Sequence, residues 1–185
     1  FYLAYSSLSG AYGIFLQIYD AQGQEQLDAP INIVEGTFED NLVKAIIPSP
    51  NLMNGVIIIY ESASFMGVGL NVIFISPSGE VNAQSSVCSD CNDPEYESHA
   101  IGDEELVITY KTSSSSLAAG VFSQVYSLDS GAAQYENGIV ISDEANDQRS
   151  SKITYNSSLD EYLVCWNDGR DTFSNDEGCL LYTSD

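Results

Sequence analysis

Short apolar runs, each closing on an aromatic, punctuate this chain. They cover residues 1–5, 56–60, 106–110 and 162–166 and close on Tyr5, Tyr60, Tyr110 and Trp166. The closing aromatics lie 55, 50 and 56 residues apart. A period near 50 marks a repeat architecture, and periods of about 40 to 50 suit propeller blades. After each run comes a small and polar gap, and then a glycine (Gly13, Gly69, Gly120, Gly178) opens a second strand. The distance from aromatic to glycine grows through 8, 9, 10 and 12 residues, as hairpin loops vary while the strands they join persist.

The second strands end in turn clusters: Asp20-Ala21-Gln22-Gly23, Ser76-Pro77-Ser78-Gly79 and Asp129-Ser130-Gly131. Glycine supplies the positive φ such turns require. Third strands are expected over residues 30–34, 81–87 and 138–142, and fourth strands over 43–47, 96–101 and 151–155. No segment carries a helical period, so about fourteen strands follow, four to a repeat. The first strands are apolar at successive positions, as in Ile57-Ile58-Ile59. Continuity of this kind marks a strand covered on both faces, whereas alternation marks one wet face. The fold class expected is all-β: four-stranded antiparallel blades, about three and a half blades of a β-propeller. The repeats fall near 1–48, 49–101, 102–155 and 156–185.

Charge narrows the partners. The 185 residues carry 27 acidic and 5 basic side chains, a net charge of −22. Such a field repels nucleic-acid phosphate and anionic membrane, so neither nucleic-acid binding nor membrane insertion is expected. The longest apolar stretch, residues 56–60, is strand-length, far short of a bilayer span. No basic segment followed by an apolar one opens the chain. It starts inside an apolar strand, which suggests a piece of something longer.

Four cysteines fall in two close pairs, Cys88/Cys91 and Cys165/Cys179. An even count without a set of histidines points to disulfides and an oxidising, extracellular or cell-surface location. If each closing aromatic faces the glycine of the next strand, Trp166 lies opposite Gly178 and Cys165 opposite Cys179. Directly opposed cysteines are within disulfide reach. Two buried free thiols are the alternative. Cys88-Ser89-Asp90-Cys91 reads as a loop disulfide; zinc ligation and redox chemistry are the alternatives. Redox pairs of this spacing open a helix beside a βαβ unit, and the acidic flanks here oppose a thiolate.

No catalytic residue is assigned. His99 is the only histidine, so a Ser-His-Asp triad and a histidine-rich metal site are both poorly supplied. Paired carboxylates such as Asp103-Glu104-Glu105 and Asp143-Glu144 are too abundant to single out a glycosidase pair. There is no Asp-x-Asp-x-Asp-Gly calcium loop. Asp168, Asp171, Asp176 and Glu177 read as one acidic loop, and Ca2+ is the one metal ion it leaves open. Asn156-Ser157-Ser158 is a glycosylation sequon in an expected exposed turn.

The stretch Tyr155-Asn156-Ser157-Ser158-Leu159-Asp160-Glu161-Tyr162-Leu163-Val164-Cys165-Trp166-Asn167-Asp168-Gly169-Arg170 resembles the "YN…EYLVVW.D.R" signature of secreted β-propeller-like repeats in very large bacterial and protist surface proteins. The segment from Gly13 through Gly23 resembles the companion "YGIYAQ.F…G" segment, and Asp147-Gln148 sits where those repeats carry an Asp-Gln. The middle copy departs from the pattern: Leu70-Asn71-Val72-Ile73-Phe74-Ile75 has no Gln. The resemblance implies an adhesive or structural module with no set activity. Because three and a half copies fall short of a ring, it also implies closure by neighbouring sequence or by another chain. The expected partners are other copies or other domains of the same surface assembly, and glycans. Carbohydrate or protein binding by loops at one mouth is the second reading, for which Phe65 and Phe173 are the loop aromatics. A hydrolase or lyase is the third.

Overall fold

The computed structural model describes residues 1–7, 12–36, 40–49, 55–64, 67–89, 91, 93–112, 120–136, 138–143, 148–168 and 176–183, without the side chains at 12, 36, 40, 64, 149 and 176–183. Fourteen strands and no helix occupy these residues. The strands form four antiparallel sheets within two compact units.

The first unit spans Phe1–Ser86 together with Asp129–Gly131. Its first sheet is β1 (Tyr2–Ser7), β2 (Tyr12–Ile18) and β3 (Ile31–Gly36), hydrogen-bonded in that order. Its second sheet is β4 (Asp40–Pro48), β5 (Val56–Ser64), β6 (Gly67–Ile75) and β7 (Val81–Ser86), again in sequence order. The two sheets share one core. Ala4, Ile14, Leu16 and Ile33 from the first sheet pack with Val56, Ile58, Tyr60, Ile73 and Ile75 from the second. Gln84 Nε2 donates to the Tyr60 hydroxyl at 3.0 Å, satisfying the phenol where its ring is buried.

The second unit spans Val87–Leu128 and Ala132–Asp185. Here β8 (Glu95–Ile101), β9 (Glu105–Thr112), β10 (Gly120–Ser127) and β11 (Ile139–Ser142) make a four-stranded sheet. β12 (Gln148–Asn156), β13 (Glu161–Asp168) and β14 (Asp176–Thr183) make a three-stranded one. Ala100, Val107, Val125 and Tyr162 form one cluster between these sheets; Val121, Val164 and Trp166 form another.

The sheets are phased one strand ahead of the sequence period. Each strand that leads into an apolar run pairs with that run, so β4, β8 and β12 open their sheets. The sequence period counts from the most apolar strand, whereas the chain enters a sheet at its edge. The sheets therefore have three, four, four and three strands.

The register corrects the expected pairing of aromatic with glycine. Trp166 does face Gly178, but Tyr5 faces Phe15, Tyr60 faces Asn71 and Tyr110 faces Phe122. Rings 5.7 Å apart stack at Tyr5–Phe15, and rings 5.8 Å apart at Tyr110–Phe122. The cross-strand contact of two aromatics outweighs a ring over a bare glycine. In the first three copies the glycine instead opposes the residue two places on: Ser7, Ser62 and Thr112. At Gly13 a Cβ would collide with the Val34 carbonyl oxygen, and at Gly120 with that of Ser142. In both strands the ladder to the third strand shifts register next to the glycine. The outer strand therefore bulges inward onto a position that only hydrogen can occupy.

Covering of the apolar runs differs by sheet. Val56 to Tyr60 in β5 and Leu106 to Tyr110 in β9 are buried at every position, as their continuous apolar sequence predicts. In β13 burial alternates from Glu161 to Asp168, and in β1 Leu3 and Tyr5 are exposed either side of buried Ala4. These two runs have one open face although their sequences are as apolar as the others.

Two long connections fold alike around a buried glutamine. Gln17 Nε2 donates to the Leu27 carbonyl at 3.1 Å, and Gln124 Nε2 donates to the Tyr135 carbonyl at 2.6 Å. Isolated bridges tie Tyr19 to Glu25 and Tyr126 to Ala133, and the turns use Gly23 (φ 78°) and Gly131 (φ 68°). β6 carries Ile73 at the glutamine position, and its chain returns to β7 through the short turn at Gly79 (φ 88°). With no folded-back loop there are no loop carbonyls to satisfy, and an aliphatic side chain fills the core.

Candidate functional site

Four polar clusters and one open apolar face are candidates for function. At the far end of the β12–β13 hairpin, Gln148 faces Asp168 in the register. Gln148 Nε2 donates to Asp168 Oδ1 at 2.6 Å, and the Ser142 hydroxyl donates to Gln148 Oε1 at 3.2 Å. All three residues are buried. This corrects the placing of Asp168 in a solvated acidic loop. Asp168 is the last residue of β13 and points inward, because the alternation set by Tyr162, Val164 and Trp166 carries it to the core side. Asp176 and Glu177 open β14, and Asp171 lies outside the described residues. Among the described residues no group of three or more His, Cys, Asp or Glu is placed to hold a metal ion.

A second cluster joins β8, β9 and β12. The Ser98 and Thr109 hydroxyls are 2.7 Å apart, Ser151 Oγ donates to Thr109 Oγ1 at 3.0 Å, and Ser98 Oγ donates to the Ser151 carbonyl at 3.1 Å. The ladder slips between Arg149 and Lys152, and Ser150 takes φ 57°. That bulge delivers Ser151 to β8. Neutral hydroxyls tied only to one another and to main chain are a clasp between sheets.

His99 shares a 2.7 Å hydrogen bond between Nδ1 and the Tyr96 hydroxyl. Burial lowers the imidazole's pKa below its ordinary value and raises that of the Tyr96 phenol. Glu97 beside them is also raised, by burial first, with Lys111 and Lys152 pulling the other way. Tyr96 and His99 both lie in β8 and are half-buried, so their bond braces one strand. The fourth cluster lies at the turn after β12. The Tyr155 hydroxyl donates to Asp160 Oδ1 at 2.8 Å, and the Tyr155 and Tyr162 rings sit 5.0 Å apart. The phenol of Tyr162 is driven far up by burial, with Glu105 adding to it, so it stays a neutral donor.

Cys88 and Cys91 are joined by a disulfide with S–S 2.00 Å. Cys165 is also disulfide-bonded, and the residue opposite it in the register is Cys179, whose side chain is outside the described residues. Asn156 ends β12 at an exposed turn, where its Oδ1 accepts the Ser158 amide at 3.1 Å. Phe65 and Phe173, the loop aromatics of the binding reading, lie outside the described residues.

The open face belongs to β1 and β2. Phe1 is 66%, Leu3 46% and Tyr5 39% exposed. Phe1 stacks on Tyr19 with centroids 4.9 Å apart, beside the Tyr5–Phe15 pair. Four rings in two stacks thus line one side of a two-strand ladder. The repeat itself carried the signal for this face, because the same positions recur in later copies. Sequence could not say which copy would be left uncovered.

No helix among the described residues is long and apolar enough to cross a membrane. No protein-family model matches this sequence, and no curated protein matches it. Among solved structures, the crystal structure of an endo-arabinase from Bacteroides thetaiotaomicron is similar at a TM-score of 0.46 and 8% identity, over 99% of this chain and 70% of that one.

Proposed function

We propose that this chain is a non-enzymatic extracellular structural module whose sheets are the blades of a propeller-like array within a larger surface assembly. The observation that carries the reading is a contact made twice. In each unit the apolar strand of one sheet, β5 or β13, lays the same face on the sheet before it. A chain built by repeating one contact suits a scaffold that extends by adding sheets. The Cys88–Cys91 disulfide and the net charge of −22 suit an oxidising, solvated setting. The resemblance of the stretch from Tyr155 to Arg170 to surface-protein repeats points the same way. Two of the polar clusters tie one sheet to the next, Ser98 and Thr109 to Ser151, and Ser142 to Gln148.

The test is surface labelling of intact source cells with a membrane-impermeant reagent, combined with the native mass of the labelled material. Labelled chain in a species much larger than 20.0 kDa is expected. Labelling only after lysis overturns the location, and turnover of a polysaccharide by the purified chain overturns the non-enzymatic reading. The exposed stacks Phe1–Tyr19 and Tyr5–Phe15 favour a second reading, a glycan- or protein-binding face, since aromatic rings are platforms for apolar ligand surfaces.

A further inference from the structure

Counting back from the closing aromatic aligns Tyr5, Tyr60 and Trp166; Leu3, Ile58 and Val164; and Phe1, Val56 and Tyr162. In β5 these positions are 3%, 0% and 0% exposed, and they pack on β1 and β2 through Ala4, Ile14 and Leu16. In β13 they are 9%, 1% and 2% exposed, and they pack on Val107, Val121 and Val125 of β9 and β10. In β1 the same positions are 39%, 46% and 66% exposed. The receiving face is thus covered by a preceding sheet in both units and open once, on β1.

The face that covers it is also open once. Tyr2 and Ala4 in β1, and Val107 in β9, are the covering positions inside the units. Their counterparts in β13 are Leu163 and Cys165, with Leu163 39% exposed and Cys165 half-buried. The chain therefore carries one unmet receiving face and one unmet covering face of a single kind of contact. The receiving side carries Glu35, opposite Gly13 in the register, while Lys152 lies opposite Cys165 on the covering side.

We propose that the partner of the β1–β2 face is a second copy of this chain, docked head to tail through the β13 face around Leu163. The proposal rests on the assembly reading above and names the surfaces that would carry it. Such a contact is heterologous: copies add in one direction, into a closed ring or an open filament.

The test is sedimentation of the 185-residue chain over a concentration series, with Tyr5→Asp on one face and Leu163→Asp on the other. Both positions are exposed, and circular dichroism checks that each variant keeps its strands. The wild-type chain is expected to associate, more strongly as salt screens the net charge. Each variant alone is expected to lose association. An equal mixture of the two is expected to form a dimer and nothing larger, because one partner keeps the receiving face and the other the covering face. If a variant loses its strands, Leu3→Asp or Lys152→Glu tests the same face. Wild-type association that survives substitution on both faces overturns the choice of surfaces and leaves assembly standing. A wild-type chain monomeric throughout overturns the self-docking. Glycan capture lost in Tyr5→Asp while the wild-type chain stays monomeric overturns it in favour of a saccharide platform.

Discussion

Gln124 holds the carbonyl of Tyr135 at 2.6 Å from inside the core, eleven residues along the chain. The same amide reaches the Val87 carbonyl at 3.3 Å, and Gln124 Oε1 accepts the amide of Val125 at 3.0 Å. One side chain thereby satisfies main-chain groups of three segments, and the loop after β10 can fold against the sheet without stranding its carbonyls. Gln17 does a smaller version of this work: it holds the Leu27 carbonyl, and its own Oε1 is buried without a partner.

The two glutamines should therefore differ in cost. Gln124→Leu removes donors from two carbonyls and an acceptor from an amide, and about 1–3 kcal/mol of stability should go with it, the usual penalty for stranding buried polar groups. Gln17→Leu should cost less, because it also relieves an unpartnered oxygen. Urea unfolding of the two variants side by side gives the comparison, and equal costs would contradict this account of the loops.

Glycine at the bulges is a matter of space. Gly120→Ala puts a methyl against the Ser142 carbonyl, and Gly13→Ala against that of Val34. Backbone in a ladder cannot step aside as a side chain can, so each should cost about 1–3 kcal/mol. Gly69→Ala meets the Ser62 hydroxyl at 3.1 Å, a contact that a rotamer change relieves, and it should cost clearly less. Thermal midpoints of the three variants would rank them.

The cysteine bonds close loops of different length. Cys88 and Cys91 are three residues apart, and the chain-entropy account assigns so short a loop about 2 kcal/mol. Cys165→Ser opens a larger loop if Cys179 is its partner, and about 3 kcal/mol is then the expected loss. Peptide mapping without reduction identifies the partner, and denaturation of Cys165→Ser against Cys88→Ser tests the order.

Acid should loosen the β8 region through His99. Its folded-state pKa lies below the ordinary 6.5 because burial penalises the cation, so the unfolded chain takes up a proton first. This contribution is fully present above about pH 6.5 and is lost as pH falls through the lower folded value. Glu97 acts in the opposite sense: its raised pKa makes its contribution full below the ordinary 4.5 and lost as pH rises through the folded value. His99→Gln should flatten the fall in urea midpoint on the acid side of pH 6.5 and leave the Glu97 contribution in place. At the alkaline end, burial pushes Tyr110 up to about 12, so its phenol should stay protonated above the ordinary value of 10.0.

The apolar runs, the turn glycines and the absence of a helical period were legible in the chain, and they account for the all-β fold and the position of each strand. Local chemistry suffices there: alternation or continuity of apolar residues selects strands, and Gly23, Gly79 and Gly131 supply the positive φ their turns need. Sequence counting also placed Cys165 across from Cys179, although by a rule that fails at Tyr5 and Tyr110, where rings pair across the strands, and at Tyr60, which faces Asn71. Three things were decided only by packing. They are the inward turn of Asp168, the meeting of Ser98, Thr109 and Ser151 across three strands, and the exposure of Leu3 and Tyr5 where Ile58 and Tyr60 are covered. A residue's type sets what its surroundings must offer. Whether a neighbouring sheet is there to offer it depends on contacts between residues far apart in the chain, which no local pattern records.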